Sequence, residues 1–372
     1  PALAALALGL LACCRPPAET TGPLPLYSVG TVSRLVSGRL GPAGALFVAE
    51  QDDGSRQAIA VDARGEDVWN TRPVAQVLLG PTLDAPVYTV ALGDGPRQVS
   101  VLAPSTGRVE RAFTVDRPRQ PHERWERDGD DLLLIEAAGE KAAVTVVAID
   151  GATGATRWTR VPGVAVPLDV GWAFHSPVIV QGDSIHLFCL PAGSPEYYPD
   201  LCRLARADGS LTATRKGPFI DMAAAARTLF VLRSDAVEAL ADDGAARWRR
   251  PLTPQYQGAT LLARDGWLVA LSSLARSNNE HQEQLLALDP ADGHPLWTRD
   301  TSPGGEHYQK DIALSDERLF FVSNLDPNMR VVDRQGALVL GASWKTRLAA
   351  PTEAAGGFVE GMRGTPLFEG PF

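Results

Sequence analysis

No stretch of this 372-residue chain approaches the roughly 18–20 consecutive apolar residues that span a bilayer. Helical periodicity is equally scarce. Apolar spacing at i, i+3, i+4 is sustained nowhere except in the short, ambiguous "FIDMAAAARTLF", so a helical bundle is excluded. Basic charge is in deficit: 35 Lys and Arg against 44 Asp and Glu leave a formal net charge of -9, which removes the electrostatic basis for nucleic-acid binding.

The usual marks of chemistry are missing too. The six histidines (122, 175, 186, 281, 294, 307) include no pair at the i, i+4 spacing of a helical metal site. Neither a G-x-S-x-G elbow nor a phosphate-cradling G-x-x-x-x-G-K-[ST] loop occurs. "ERDGDDLLL" (Glu126–Leu134) gathers carboxylates near a Gly but lacks the twelve-residue calcium-loop pattern, and reads as a solvated turn. Cysteine is limited to four residues. Cys189 and Cys202 flank one hairpin, where antiparallel pairing would let them face each other and oxidise in an exported protein. The alternative is two small buried hydrophobes. A zinc site would need two further ligands, and His186 is the one candidate in that hairpin.

What the chain does have is repetition. "AIAVDARGEDVWN" carries Asp62, Gly65 and Trp69; "VTVVAIDGATGATRWTR" carries Asp150, Gly154 and Trp158; "AVEALADDGAARWRR" carries Asp242, Gly244 and Trp248; "LLALDPADGHPLWTRD" carries Asp289, Gly293 and Trp297. Weaker copies hold Gly107 with Phe113, Asp208 with Gly209, and Asp333 with Gly336. The seven glycines recur at intervals of 35 (209 to 244) to 55 (154 to 209) residues, the range of propellers and solenoids.

Each copy reads as an apolar strand, an Asp–Gly turn, and a strand carrying the Trp; upstream lies another strand–turn–strand. Four short antiparallel strands per unit describe a propeller blade. Asp bonds its own turn amides and Gly tolerates positive φ. The Trp fills the wedge between neighbouring sheets. The expected fold is therefore all-β, a β-propeller of four-stranded antiparallel blades. Seven motifs predict seven blades. Eight stay open if Ala350–Phe368 and Pro25–Val36 form a blade of their own rather than closing the ring.

"LLALDPADGHPLW" and "VVAIDGATGATRW" resemble the repeat of the PQQ-like (pyrroloquinoline-quinone) β-propellers, over about residues 30–345. That family includes quinone-dependent dehydrogenases as well as BamB-like exported proteins that are not enzymes. The dehydrogenases share a catalytic Asp, a Ca²⁺ held beside the quinone and, in many, a disulfide between adjacent cysteines. Here the only adjacent pair is Cys13–Cys14, outside any blade, and the repeat Asp residues belong to turns. The resemblance therefore implies no cofactor and a non-catalytic scaffold for protein–protein interaction at the bacterial envelope, with BamB-like outer-membrane protein assembly as its most concrete form. The alternatives are a quinone-dependent oxidoreductase and a propeller that binds a small ligand or sugar.

The termini and loops complete the reading. "PALAALALGLLACC" has the length of a secretory signal core, and "LLAC" resembles a bacterial lipobox with Cys13 as the lipidated residue; the alternative is an ordinary secretory signal. The expected organisation is a signal in 1–13, a tether in 14–25, and one propeller domain in 26–372. A periplasmic, outer-membrane-anchored or cell-surface location follows, with membrane contact only through the lipid and a monomeric propeller. The longest insertions gather Arg124, Trp125, Arg127, Tyr197, Tyr198, Glu306, His307, Tyr308 and Lys310. By strand order they share one rim, and aromatics mixed with Arg are the composition of interface hot spots. They form the candidate site for an envelope protein or peptide, against the plainer reading of variable surface loops.

Overall fold

In the computed structural model, residues 32–368 are described apart from 42–43, 52, 63–66, 81, 140–141, 167–177, 192–198, 254–256, 265, 276–280, 301–310, 315–317, 323–327 and 344–366. Among the described residues every regular element is a strand, and the strands form seven sheets. The chain divides into two compact units, residues 1–114 with 308–372, and residues 115–307.

The first unit holds three sheets. The first sheet is β1 (Val32–Gly41), β2 (Gly44–Gln51), β3 (Arg56–Asp62) and β4 (Asp67–Asn70). The second is β5 (Gln76–Leu78), β6 (Val87–Val90), β7 (Arg97–Leu102) and β8 (Val109–Val115). The second unit holds four. The third sheet is β9 (His122–Asp128), β10 (Asp131–Ala137), β11 (Thr145–Ile149) and β12 (Thr156–Arg160). The fourth is β13 (Val164–Ala165), β14 (Ile179–Gln181), β15 (Ser184–Pro191), β16 (Asp200–Ala205) and β17 (Leu211–Arg215), both short strands pairing with β15. The fifth is β18 (Phe219–Ala225), β19 (Thr228–Arg233), β20 (Ala236–Leu240) and β21 (Ala246–Pro251). The sixth is β22 (Gln257–Arg264), β23 (Trp267–Ala275), β24 (His281–Leu288) and β25 (Pro295–Asp300). The seventh, in the first unit, is β26 (Asp311–Leu314), β27 (Arg318–Val322), β28 (Asn328–Asp333) and β29 (Leu338–Ser343). From the closing segment, β30 (Leu367–Phe368) adds to the first sheet, parallel to β1 at Ser37 and Gly38.

"FIDMAAAARTLF" is a hairpin, β18 to β19. Its Ala-rich stretch would suit a helix in isolation, but strand pairing and burial of Phe219, Met222 and Phe230 override that preference. Ala226 turns the corner at φ 50°.

The repeat phrase builds the same feature each time. Gly107, Gly154, Gly209, Gly244, Gly293 and Gly336 all have positive φ. Asp150, Asp208, Asp289 and Asp333 accept amides of their own turns, for example Thr153 N at 2.8 Å and Ala291 N at 2.7 Å. In the fifth sheet Asp243, not the expected Asp242, makes this bond, to Ala245 N at 2.8 Å. Gly65 lies outside the described residues.

Each Trp faces an Ala across its strand pair: Trp69 with Ala60, Trp158 with Ala148, Trp248 with Ala239 and Trp297 with Ala287. A small cross-strand partner leaves the indole room to lie flat, and Trp69, Trp158 and Trp248 fill the wedge to the next sheet. Inter-sheet cores follow, such as Phe230, Leu232, Ala239, Leu261 and Leu268 with Trp248 between the fifth and sixth sheets.

Candidate functional site

Three indoles complete a joint between consecutive sheets. Trp69 Nε1 donates to Pro104 O at 2.8 Å, Trp158 to Arg206 O at 3.0 Å, and Trp248 to Pro290 O at 3.1 Å. In each case the acceptor lies three residues before the Gly of the following turn. A Cβ on Gly107, Gly209 or Gly293 would come within 2.5–2.6 Å of the docked ring. The glycine is thus required twice, for its φ and for the indole lying against it. Sequence reasoning found the first requirement and missed the second.

Ion pairs to buried carboxylates also tie neighbouring segments together. Asp128, 8% exposed, meets Arg206 of the fourth sheet at 2.7 Å. Glu238, 4% exposed, receives Arg215 of the fourth sheet at 2.7 Å and Arg249 at 3.2 Å. Arg117, in the connection from β8 to β9, meets buried Glu136 of the third sheet at 2.5 Å. The arginines of these pairs are 28–44% exposed, so water screens the attraction and each pair contributes less than a fully buried one would.

The expected partner rim changes in one place. The segment expected to present Arg124, Trp125 and Arg127 as a loop is instead strand β9 (His122–Asp128), paired residue for residue with β10. Trp125 sits opposite Leu134 and is 2% exposed, so it is a core residue that no partner can reach. Its sequence "HERWERD" hides the strand because charged residues surround the one apolar position. Arg127 Nε is turned onto Gly129 O at 2.5 Å, and Arg124, partly exposed, pairs with Glu126 at 2.5 Å. Tyr197, Tyr198, Glu306, His307, Tyr308 and Lys310 lie outside the described residues, as does Cys13.

Cys189 and Cys202 are joined by a disulfide with Cα atoms 5.8 Å apart. They sit diagonally across β15 and β16, Cys189 opposite Asp200 and Cys202 opposite Leu187, both buried in the core between the third and fourth sheets.

Among the described residues, one group of three could present metal ligands, Asp289, Asp292 and His294 at an exposed turn. Turn bonds already occupy it: Asp289 accepts Ala291 N, and Asp292 accepts His294 N at 3.0 Å and contacts its ring at 2.8 Å. Asp221 is the carboxylate with the strongest upward displacement, to about 7. Burial of its carboxyl end raises it, while bonds from Leu261 N and Met222 N lower it. Those bonds tie β18 to β22, so Asp221 acts in assembly of adjacent sheets. Asp150 is held down at about 2 by Arg157 and Thr153, again within a turn.

The comparisons with known proteins agree with this geometry. The profile of a family described as outer membrane protein assembly factor BamB matches residues 142–370. BamB from Moraxella catarrhalis aligns with a TM-score of 0.52 at 12% identity, over 83% of this chain and 87% of that one. The propeller of Dos1 aligns with 0.52 at 11%, over 86% of each. A quinohemoprotein alcohol dehydrogenase from Comamonas testosteroni aligns with 0.51 at 11%, over 91% of this chain and 77% of that one. At such identities the likeness shows the fold, a β-propeller. A search of curated protein sequences gives no match.

Proposed function

Because this chain belongs to the PQQ-repeat family described as outer membrane protein assembly factor BamB, we propose that it is a non-catalytic, exported propeller that holds a protein or peptide partner at the bacterial envelope, in outer-membrane protein assembly. The observation that carries this reading is how the repeat's own polar residues are used. Asp150, Asp208, Asp289 and Asp333 close their own turns, and the docked indoles of Trp69, Trp158 and Trp248 close the joints to the next sheet. The recurring residues are committed to assembly, so recognition falls to the positions that differ between repeats. Function on loops carried by a rigid scaffold is the general pattern.

The proposed partner-binding residues are Tyr197, Tyr198, Glu306, His307, Tyr308 and Lys310, together with Arg124 and without Trp125. Cys13 is the proposed lipid attachment, followed by a tether in 14–25 and a monomeric propeller.

Titration of the purified chain with pyrroloquinoline quinone and Ca²⁺, with an alcohol or sugar and an electron-accepting dye present, tests the non-catalytic half. The expected result is neither saturable binding nor dye reduction. Quinone-dependent dye reduction contradicts the reading and makes the chain a dehydrogenase.

A further inference from the structure

Among the four sheets of residues 115–307, the fourth is the one without a Trp after its turn glycine, so its joint to the fifth sheet lacks the docked indole found between the third and fourth and between the fifth and sixth. In the fifth sheet one cross-strand row runs Ala223, Phe230, Ala239, Trp248; in the sixth it runs Leu262, Val269, Ala287, Trp297. The matching row of the fourth sheet is Ile179, His186, Arg203, Ala213. Ala213 stands four residues after Gly209, where the Trp belongs. The apolar and Ala positions before it have become His and Arg.

Arg203 partly replaces the missing indole. Its Nη1 donates to Asp242 O in the turn of the fifth sheet, and its Nε donates to Thr212 Oγ1 at 3.2 Å. The space is nevertheless not refilled: a Cβ on Gly244 would meet nothing within 4 Å, where the three indole-docked glycines meet a ring at 2.5–2.6 Å.

Two side chains on the same face of the β14–β15 hairpin have buried nitrogens without partners. They are His186 Nδ1 and, in the adjoining row, Gln181 Nε2, opposite Ser184. A buried polar atom left unpaired costs about 1–3 kcal/mol, so two of them beside an arginine call for a ligand. The half-buried His186 is held at about 4, first by burial and then by Arg203, and stays neutral at ordinary pH. A neutral imidazole can still donate from one nitrogen. The row thus offers amide, imidazole and guanidinium donors, and the carboxylate at the same joint, Glu238, is taken by Arg215 and Arg249.

We infer that the Trp-less joint between the fourth and fifth sheets is a binding site for a small oxyanion, a carboxylate or phosphate group, held by His186, Arg203 and Gln181. The site is independent of the envelope role proposed above. Its form follows from replacing an apolar wedge by donors that need an acceptor, and an oxyanion supplies several acceptor atoms to a guanidinium and its neighbours at once.

Calorimetric titration with sodium phosphate and, separately, sodium acetate at constant ionic strength tests it, with the ring nitrogen resonances of His186 followed by NMR. Saturable heat together with a saturable His186 shift is expected with at least one anion, and which anion saturates assigns the group. Gln181→Leu should weaken binding about tenfold, the loss of one charge-assisted hydrogen bond. The triple variant His186→Leu, Arg203→Ala, Ala213→Trp restores the apolar row and should fold yet bind neither anion. His186 resonances indifferent to both anions overturn the assignment. So does a folded triple variant that binds as well as the parent.

Discussion

The ring of Trp158 lies where a side chain on Gly209 would have to be: a Cβ there falls 2.5 Å from the indole, whose Nε1 donates to Arg206 O at 3.0 Å. Gly244 has the same kind of backbone, φ 86° against 69°, with open space at the same position. The two glycines therefore separate the cost of conformation from the cost of docking.

Gly244→Ala should destabilise by about 1–2 kcal/mol, the penalty of a left-handed Ala. Gly209→Ala should cost clearly more, because the indole must also leave its seat. In a double-mutant cycle with Trp158→Ala, the part of the extra cost that comes from the ring should vanish, leaving the approach to Arg160 Cβ at 2.9 Å. Denaturant unfolding of the four proteins measures this, and equal costs at the two glycines would show that the docked ring does not constrain the turn.

Stability should also depend on pH through Asp221. Its folded pKa lies near 7, above the ordinary 3.8, because burial disfavours the charged carboxylate. The folded state then keeps a proton that the unfolded chain has lost. The stability from this group is complete below about 4 and is lost as pH rises through about 7. His186 has the opposite sign: lowered from 6.5 to about 4, it withdraws stability as pH falls through that window. Asp221→Asn removes the ionisation but keeps an oxygen for only one of the two amides, Leu261 N or Met222 N, which lowers stability by an amount that does not vary with pH. Its melting temperature relative to the parent should rise between pH 5 and pH 8, and a constant offset over that range would assign the titration elsewhere.

Much of this was legible in the sequence, and what was missed has a physical cause. Asp–Gly followed by Trp announces a turn and a wedge residue, so strand order and sheet composition could be read from the repeat. β9 could not, because five of its seven residues are charged and only Trp125 and its pairing with β10 betray burial. The Trp-less fourth sheet was visible as a weak copy at Gly209. Its meaning was not, because His186, Arg203 and Ala213 come from three separate strands and form a row only when the sheet is built.

Removing the Cys189–Cys202 bond gives another expectation. The cysteines are 13 residues apart in sequence and buried in a shared core. Opening so short a loop should cost about 2–4 kcal/mol through the unfolded state. Thermal unfolding with and without a reductant that reaches the unfolded chain measures it, and an unchanged midpoint would mean that the bond contributes no net stability.

The central claim, a binding scaffold serving outer-membrane protein assembly, is tested most directly by deleting the chain from its host bacterium and quantifying outer-membrane β-barrel proteins, with the intact chain or a Tyr197→Ala, Tyr198→Ala variant restored. The account predicts that barrel levels fall on deletion, return with the intact chain, and fail to return with the double variant. Barrel levels untouched by deletion would contradict it.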